Sequence, residues 1–234
     1  MKIEIWSDIV CPWCYIGKRR IEAAIKQWDK PVEVVWRSFQ LDPTAPNSSD
    51  VSMLDSLTAK YRIPRSQAQS MMQRVVDVAA TEGLRFNFDI ASSGNTFDAH
   101  RLLHLAKSHG MMAALKEQLM ERYFTYGLRV SDHEQLAAVA IEVGLDAEEV
   151  ADVLGSTRFA DDVQRDIDAA RANGTTGVPF FVFDNSFGVS GAQEVDTLLQ
   201  VMRQVEAARH IAQVDDSLSC DDTGCDVPDA KGLA

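Results

Sequence analysis

Strand-forming sequence is confined to the two ends of this chain, and that separation restricts the possible fold more than any other feature. Near the N-terminus, Ile3-Glu4-Ile5-Trp6 and the run from Val32 to Phe39 read as strands. In the second run Val32, Val34 and Trp36 share one face and Val35 and Phe39 the other, while Arg37 suits a sheet edge or strand end. Near the C-terminus, Val178-Pro179-Phe180-Phe181-Val182-Phe183, a turn at Asp184-Asn185-Ser186, and Phe187-Gly188-Val189-Ser190 form a hairpin signature. Residues 52–173 between them contain no convincing strand. The expected order is strand, helix, strand, insertion, strand, strand, helix: one sheet whose halves are interrupted by an all-helical block.

The block carries the marks of five to seven amphipathic helices. Pro64 suits a first helical position, Met71, Met72, Val75, Val76 and Ala79 form an apolar stripe, and Gly83 stops it. Thr96 opens a helix that Gly110 ends. Leu115, Leu119 and Tyr123 recur at i, i+4 and i+8, ahead of Gly127. Ser131-Asp132-His133-Glu134 has the form of a capping box, with Ser131 as the cap. A short piece covers residues 146–154, and Thr157 introduces a last helix carrying Phe159, Val163, Ile167 and Ala170. Residues 194–210 form a closing helix with Leu198, Leu199, Met202 and Val205 on one face. This divides the chain into an N-terminal half-sheet (1–45), a helical insertion (46–173), a C-terminal half-sheet (174–212) and an acidic tail, extended or mobile (213–234).

Chemistry is concentrated in Cys11-Pro12-Trp13-Cys14, between the first strand and a helix whose Ile21, Ala24, Ile25 and Trp28 share a face. Pro12 suits the first helical position, where its missing N–H breaks no intrahelical bond. Cys11 then lies among the free N–H groups of the helix start, which favour a thiolate, and Cys14 lies one turn inward as the more buried thiol. Two thiols so placed are suited to reversible disulfide chemistry; half of a zinc site or two inert buried cysteines are the other readings. Nearby Lys18, Arg19 and Arg20 would favour the thiolate or simply form a solvated face, and Asp8 would oppose it.

A formal charge of −12 argues against a nucleic-acid partner and against an anionic membrane surface. No apolar stretch approaches the length of a membrane span, and Met1-Lys2 leads directly into a strand, so the expectation is a cytoplasmic chain in which C-x-x-C stays reducible. The tail holds Asp215, Asp216, Asp221, Asp222, Asp226 and Asp229 around a second pair, Cys220 and Cys225. That pair is open to three readings: a redox relay or regulator reaching Cys11, an exposed pair with no role in catalysis, or a metal site. His100 and His104, four apart on a helix, are spaced to share a metal; in the other reading His100 and Arg101 help dock the insertion over the active site and His104 is partly buried or at the surface.

The order of elements, with C-P-W-C after the first strand and Gly177-Val178-Pro179 before the third, resembles the DsbA-type branch of the thioredoxin superfamily. Ser7 through Tyr15, Ala99-His100-Arg101-Leu102, Gly177 through Val182, and Ser190-Gly191-Ala192-Gln193 are similar in particular to its FrnE-type cytosolic subfamily, over residues 1–210. The resemblance implies an α/β thioredoxin fold interrupted by a helical insertion. It implies a cis proline at Pro179 packed against the cysteines, leaving the Val178 backbone facing substrate, where an extended segment can add as a strand. It implies a protein thiol–disulfide oxidoreductase, working as oxidase, isomerase or reductase. Cys11 would be its nucleophile and Cys14 its resolving thiol. Trp13, in the motif where a histidine would add positive charge, points to a less extreme oxidant.

The expected partners are protein thiols and disulfides, with glutathione or a thioredoxin-like dithiol supplying electrons and no metal or organic cofactor. Two other functions share this architecture. Kappa-type glutathione transferases and glutathione-dependent isomerases typically carry serine where Cys11 stands, and a redox- or zinc-responsive chaperone or binding module would not need Cys11 at all.

Overall fold

The structure, a computed structural model, describes residues 1–47 and 51–217, with side chains to residue 211. Strands β1 (Lys2–Ser7) and β2 (Glu33–Ser38) flank helix α1 (Pro12–Gln27), and β3 (Phe180–Phe183) and β4 (Phe187–Ser190) form the hairpin. They join in one sheet of order β2-β1-β3-β4, so the two ends of the chain meet at its centre. β1 pairs parallel with β2 and antiparallel with β3, with Ile5 opposite Phe181 and Ile3 opposite Phe183. Asp184 and Asn185, the first two of the three residues between β3 and β4, both have positive φ, and the Ser186 amide donates back to the Phe183 carbonyl at 3.0 Å.

Both faces of β1 are covered, and its period of two divides the core. Ile3, Ile5, Phe181 and Phe183 pack with Ile21 and Ala24 of α1 and with Leu198 and Met202 of α9 (Val195–Ser217). Trp6 and Val182 face the other way, onto Ala170 of α8 (Ala160–Ala172). The Trp6 indole N–H donates to the Asp166 carbonyl at 2.7 Å, which satisfies the one polar atom of a side chain only 2 % exposed. Arg37 lies on β2, an edge strand as anticipated, and bridges Glu4 and Asp166.

Among the described residues seven helices run between β2 and β3: α2 (Met53–Tyr61), α3 (Arg65–Thr81), α4 (Phe97–Ser108), α5 (Met112–Tyr126), α6 (His133–Val143), α7 (Ala147–Gly155) and α8. α2 is missing from the pattern read in the sequence, and none of its residues is fully buried. Pro64 is the N-cap of α3 rather than its first helical residue. Met71 is 42 % exposed, because α3 packs through Met72, Val75, Val76 and Ala79 at i, i+3, i+4 and i+7, and Met71 falls outside that stripe.

Asp132, not Ser131, caps α6. Its carboxylate accepts from the amides of Glu134 and Gln135 at 3.0 and 3.1 Å, and a negative charge at that end also suits the helix dipole. α8 begins at Ala160, with Phe159 turned out of the helix at φ 64°. α9 continues to Ser217, past residue 210 where the sequence reading ends the helix, so residues 213–217 are helical rather than extended. The rest of the acidic tail, with Cys220 and Cys225, lies outside the described residues.

Candidate active site

Cys11 is the N-cap of α1 and Pro12 its first residue, and the amides of Cys14 and Tyr15 return to the Cys11 carbonyl. Cys11 is 3 % exposed and Cys14 1 %, whereas Trp13 between them stands 38 % exposed. The dithiol is therefore sheltered beside an outward-facing apolar ring. Burial and a hydrogen bond to Cys11 push the Cys14 thiol well up, and the Asp8 backbone N–H and the Lys116 charge draw it partly back.

The chain's other end completes this constellation. The Val178–Pro179 peptide is cis, and the Cys11 Sγ–H donates to the Val178 carbonyl at 3.4 Å. The approach depends on Gly17 in α1. A Cβ there would stand 3.0 Å from Pro179 Cγ, 3.4 Å from Phe181 Cζ and 3.5 Å from Ala192 Cβ. The signal in the sequence is a glycine inside a helical pattern, where it costs stability unless something must come close.

Asp8 directly follows β1 and is 1 % exposed. Its carboxylate accepts from the amides of Ile9 and Leu41, both at 2.8 Å, and from His100 Nε2 at 3.2 Å. Its charge is thus shared by three donors. Burial, acting first, holds His100 below its usual pKa even though Asp8 pulls upward. A neutral imidazole donating through Nε2 fits both facts; the hydrogen position is inferred from the acceptor. His104, one turn on, meets Asp166 and the Ser38 hydroxyl, both at 3.2 Å. The two histidines thus face different carboxylates and hold α4 to the sheet at two points. Among the described residues no cluster of three or more metal-ligating side chains occurs.

Lys18, Arg19 and Arg20 are not a solvated face. Lys18 is 4 % exposed and binds Glu22 and Glu117; Arg19 binds the same two carboxylates; Arg20 binds Glu82 and Glu194. Each cation is matched by an anion, so these residues fasten α1 to the insertion and do not act as free positive charge for a thiolate. Tyr15 adds to this joint, stacking on Phe86 and Phe124 and donating to Glu117 at 2.6 Å. Arg101 does not dock the insertion over the site. Its guanidinium binds Asp98 and the carbonyls of Val153, Ser156 and Arg158, closing the insertion upon itself.

Sequence reasoning missed Lys116. It is 1 % exposed, with its ammonium 5.1 Å from the centre of the Trp36 ring. The signal was present: Met112, Lys116 and Met120 fall at i, i+4 and i+8 beside the Leu115–Tyr123 stripe, which places a lysine on a buried face.

A sheet of this order, with a C-P-W-C helix start facing a cis-proline loop and a helical domain between the half-sheets, defines a thioredoxin-fold protein of the DsbA class. Residues 2–203 match the DSBA-like thioredoxin domain, and the chain belongs to that family. A probable DsbA oxidoreductase from Streptomyces coelicolor is 43 % identical, with a TM-score of 0.87 over 98 % of this chain and 100 % of its own. The uncharacterized protein YwbO of Bacillus subtilis is 29 % identical over 187 residues, 79 % of this chain and 87 % of that one. The cytosolic disulfide reductase DsbM from Pseudomonas aeruginosa, solved with glutathione, shares the fold at 15 % identity, with a TM-score of 0.61 over 87 % of this chain and 98 % of its own.

Proposed function

We propose that this chain is a thiol–disulfide oxidoreductase in which Cys11 exchanges with a substrate sulfur and Cys14 resolves the mixed disulfide. The observation that carries the reading is the meeting of Cys11, at the start of α1, with the Val178 carbonyl of the cis-proline loop. A substrate segment lying along Val178 would bring its own sulfur to Cys11, with Trp13 supplying apolar contact. Cys14, buried and with its thiol pKa raised, stays protonated until the mixed disulfide forms. Electrons come from glutathione or a second dithiol, with no metal or organic cofactor in the cycle. Glutathione is supported by the DsbM relative, which was solved with it. A cytoplasmic location agrees with the same relative's description, and no helix among the described residues is long and apolar enough to cross a membrane.

The test is a redox titration of the Cys11–Cys14 disulfide in glutathione buffers, in a variant with Cys220→Ser and Cys225→Ser. A midpoint near about −120 to −180 mV assigns an oxidase or isomerase, and one near about −270 mV a reductase. A midpoint that moves when the tail cysteines are restored supports the relay role of Cys220 and Cys225. If no Cys11–Cys14 disulfide forms in any buffer, the proposal fails and a binding module without thiol chemistry takes its place.

A further inference from the structure

The loop that carries Pro179 is held from behind, by hydrogen bonds that run back to the insertion. The Gly191 amide donates to the Pro179 carbonyl at 2.8 Å. The next carbonyl, that of Ala192, accepts from Arg20 Nη1 at 2.7 Å. Arg20 Nε donates to Glu82, the C-cap of α3, at 2.7 Å. The third nitrogen, Nη2, meets Glu194 at 2.8 Å. One guanidinium therefore ties α1, the insertion and the turn after β4 together, with a different partner on each nitrogen of its planar fork.

This sets Arg20 apart from the other buried basic side chains. Lys18 binds two carboxylates, Arg101 closes the insertion upon itself, and Lys116 rests against Trp36. Among the described residues Arg20 is the one buried cation that reaches the turn bearing on Pro179. Its side chain is 7 % exposed, so water does not replace a partner that is lost. Glu82 is 18 % exposed and Glu194 72 %, so Glu82 fixes the direction of the guanidinium and Glu194 adds little.

We infer that Arg20, oriented by Glu82 of the insertion, is a positioning residue for the substrate-facing loop. The inference rests on the exchange at Cys11 proposed above. Arg20 acts through the backbone of Ala192 and Gly191 on Pro179, and so on Val178, whose carbonyl lies 3.4 Å from Cys11 Sγ. Without Arg20 the turn loses its anchor to α1, and Val178 shifts relative to Cys11. A segment lying along Val178 is then presented out of line with the attacking sulfur, and a displacement of about 1 Å can cost about a hundredfold in rate. A small disulfide with no backbone to lay along Val178 is spared that loss. The insertion thereby takes part in choosing extended protein segments as substrates.

The experiment uses the full chain with Cys220→Ser and Cys225→Ser, reduced, and two chromogenic disulfides of thionitrobenzoate. One joins it to a short unstructured peptide with a single cysteine, the other to ethanethiol. In both, the Cys11 sulfur bonds to the peptide or ethyl sulfur, and thionitrobenzoate leaves with the electron pair of the broken bond. The readout is the ratio of the two rates, peptide over ethyl. Arg20→Met should lower that ratio at least about tenfold. Arg101→Met removes a comparably buried cation that does not touch the turn, so it should lower Tm and leave the ratio unchanged. An unchanged ratio in Arg20→Met, or the same fall in both variants, overturns the inference.

Should Arg20→Met not fold, Glu82→Ala decides, because Arg20 keeps Glu194 there. It should lower the ratio by about threefold or more, and Glu194→Ala should leave it alone. A ratio equal to the parent's in Glu82→Ala, or an equal fall in Glu194→Ala, overturns the inference. A parent chain that reacts with neither disulfide at Cys11 removes the exchange reading and this inference together. A parent that reacts with both, at a ratio that Arg20→Met does not move, removes the inference alone.

Discussion

Gly17 lies directly against Pro179, so closely that a methyl group on Gly17 would stand 3.0 Å from the proline ring. The first active-site helix and the loop that faces its cysteines are thus fitted at a position with no side chain. Gly17→Ala should be nearly neutral, because the gain of about 1 kcal/mol in helix propensity offsets a contact of a few tenths of an ångström. Gly17→Val should cost about 1–3 kcal/mol and displace Val178 from Cys11. Thermal melts and the rate of Cys11 adduct formation, measured together, check both: a Val variant with unaltered adduct formation would show that the loop does not matter.

The division of labour between the cysteines predicts opposite behaviour of two serine variants. Cys14→Ser should accumulate a stable mixed disulfide at Cys11 with oxidised glutathione. Cys11→Ser should form none at Cys14, which is 1 % exposed with its thiol pKa raised. Mass spectrometry after acid quenching reads this directly, and an adduct on Cys14 would reverse the assignment.

Acid stability should show two separate windows. His100 has its folded pKa lowered by burial, so below about pH 6.5 the unfolded chain takes up a proton that the folded chain does not. Stability therefore falls as pH drops through the unfolded value toward the folded one. Glu4, Glu117 and Asp166 are lowered as well, with stability present above about pH 4 and lost as pH falls toward their folded values. Urea melts between pH 4.5 and 7 should show a slope that His100→Gln flattens. An unchanged slope would mean that the histidine charges without cost.

Glu117 gathers Tyr15, Lys18 and Arg19 onto one carboxylate. Glu117→Gln leaves Lys18, 4 % exposed, with only the half-exposed Glu22. The expected cost is about 1–3 kcal/mol, less than for a fully buried pair because Glu117 itself reaches solvent. In a chain of this size that lowers Tm by roughly 2–12 °C. A double-mutant cycle with Lys18→Met should recover part of the loss; strict additivity would show that the pair does not interact.

The split sheet, the C-P-W-C helix start and the hairpin after Pro179 were legible because each is a local pattern: alternation, capping geometry, or turn residues. What the sequence did not disclose depends on who meets whom at long range. Lys18 and Arg20 look like surface charges until Glu117 and Glu82, 99 and 62 residues further along the chain, fold over them. Arg101 looks like a docking residue beside His100, yet one residue's step, about 100° around the helix, sends it toward the α7–α8 connection. At α6 the pattern was right and the residue wrong, since Ser131 and Asp132 are both good caps and only packing chooses. Lys116 was visible as a polar residue on an apolar stripe, but nothing local says that its ammonium rests against the Trp36 ring.

Because Ile3 pairs with Phe183 and Cys11 with Val178, the sheet and the site close only once the chain has been made as far as the β3–β4 hairpin. At about 5–20 residues per second, the ribosome needs roughly 10–30 s after making Cys14 to reach the cis-proline loop. Through that interval a nascent chain carries two reactive thiols on an unfinished half-sheet, free to pair with each other or with any passing disulfide. A newly made molecule is therefore exposed to the redox state of its surroundings before it can begin to act upon it.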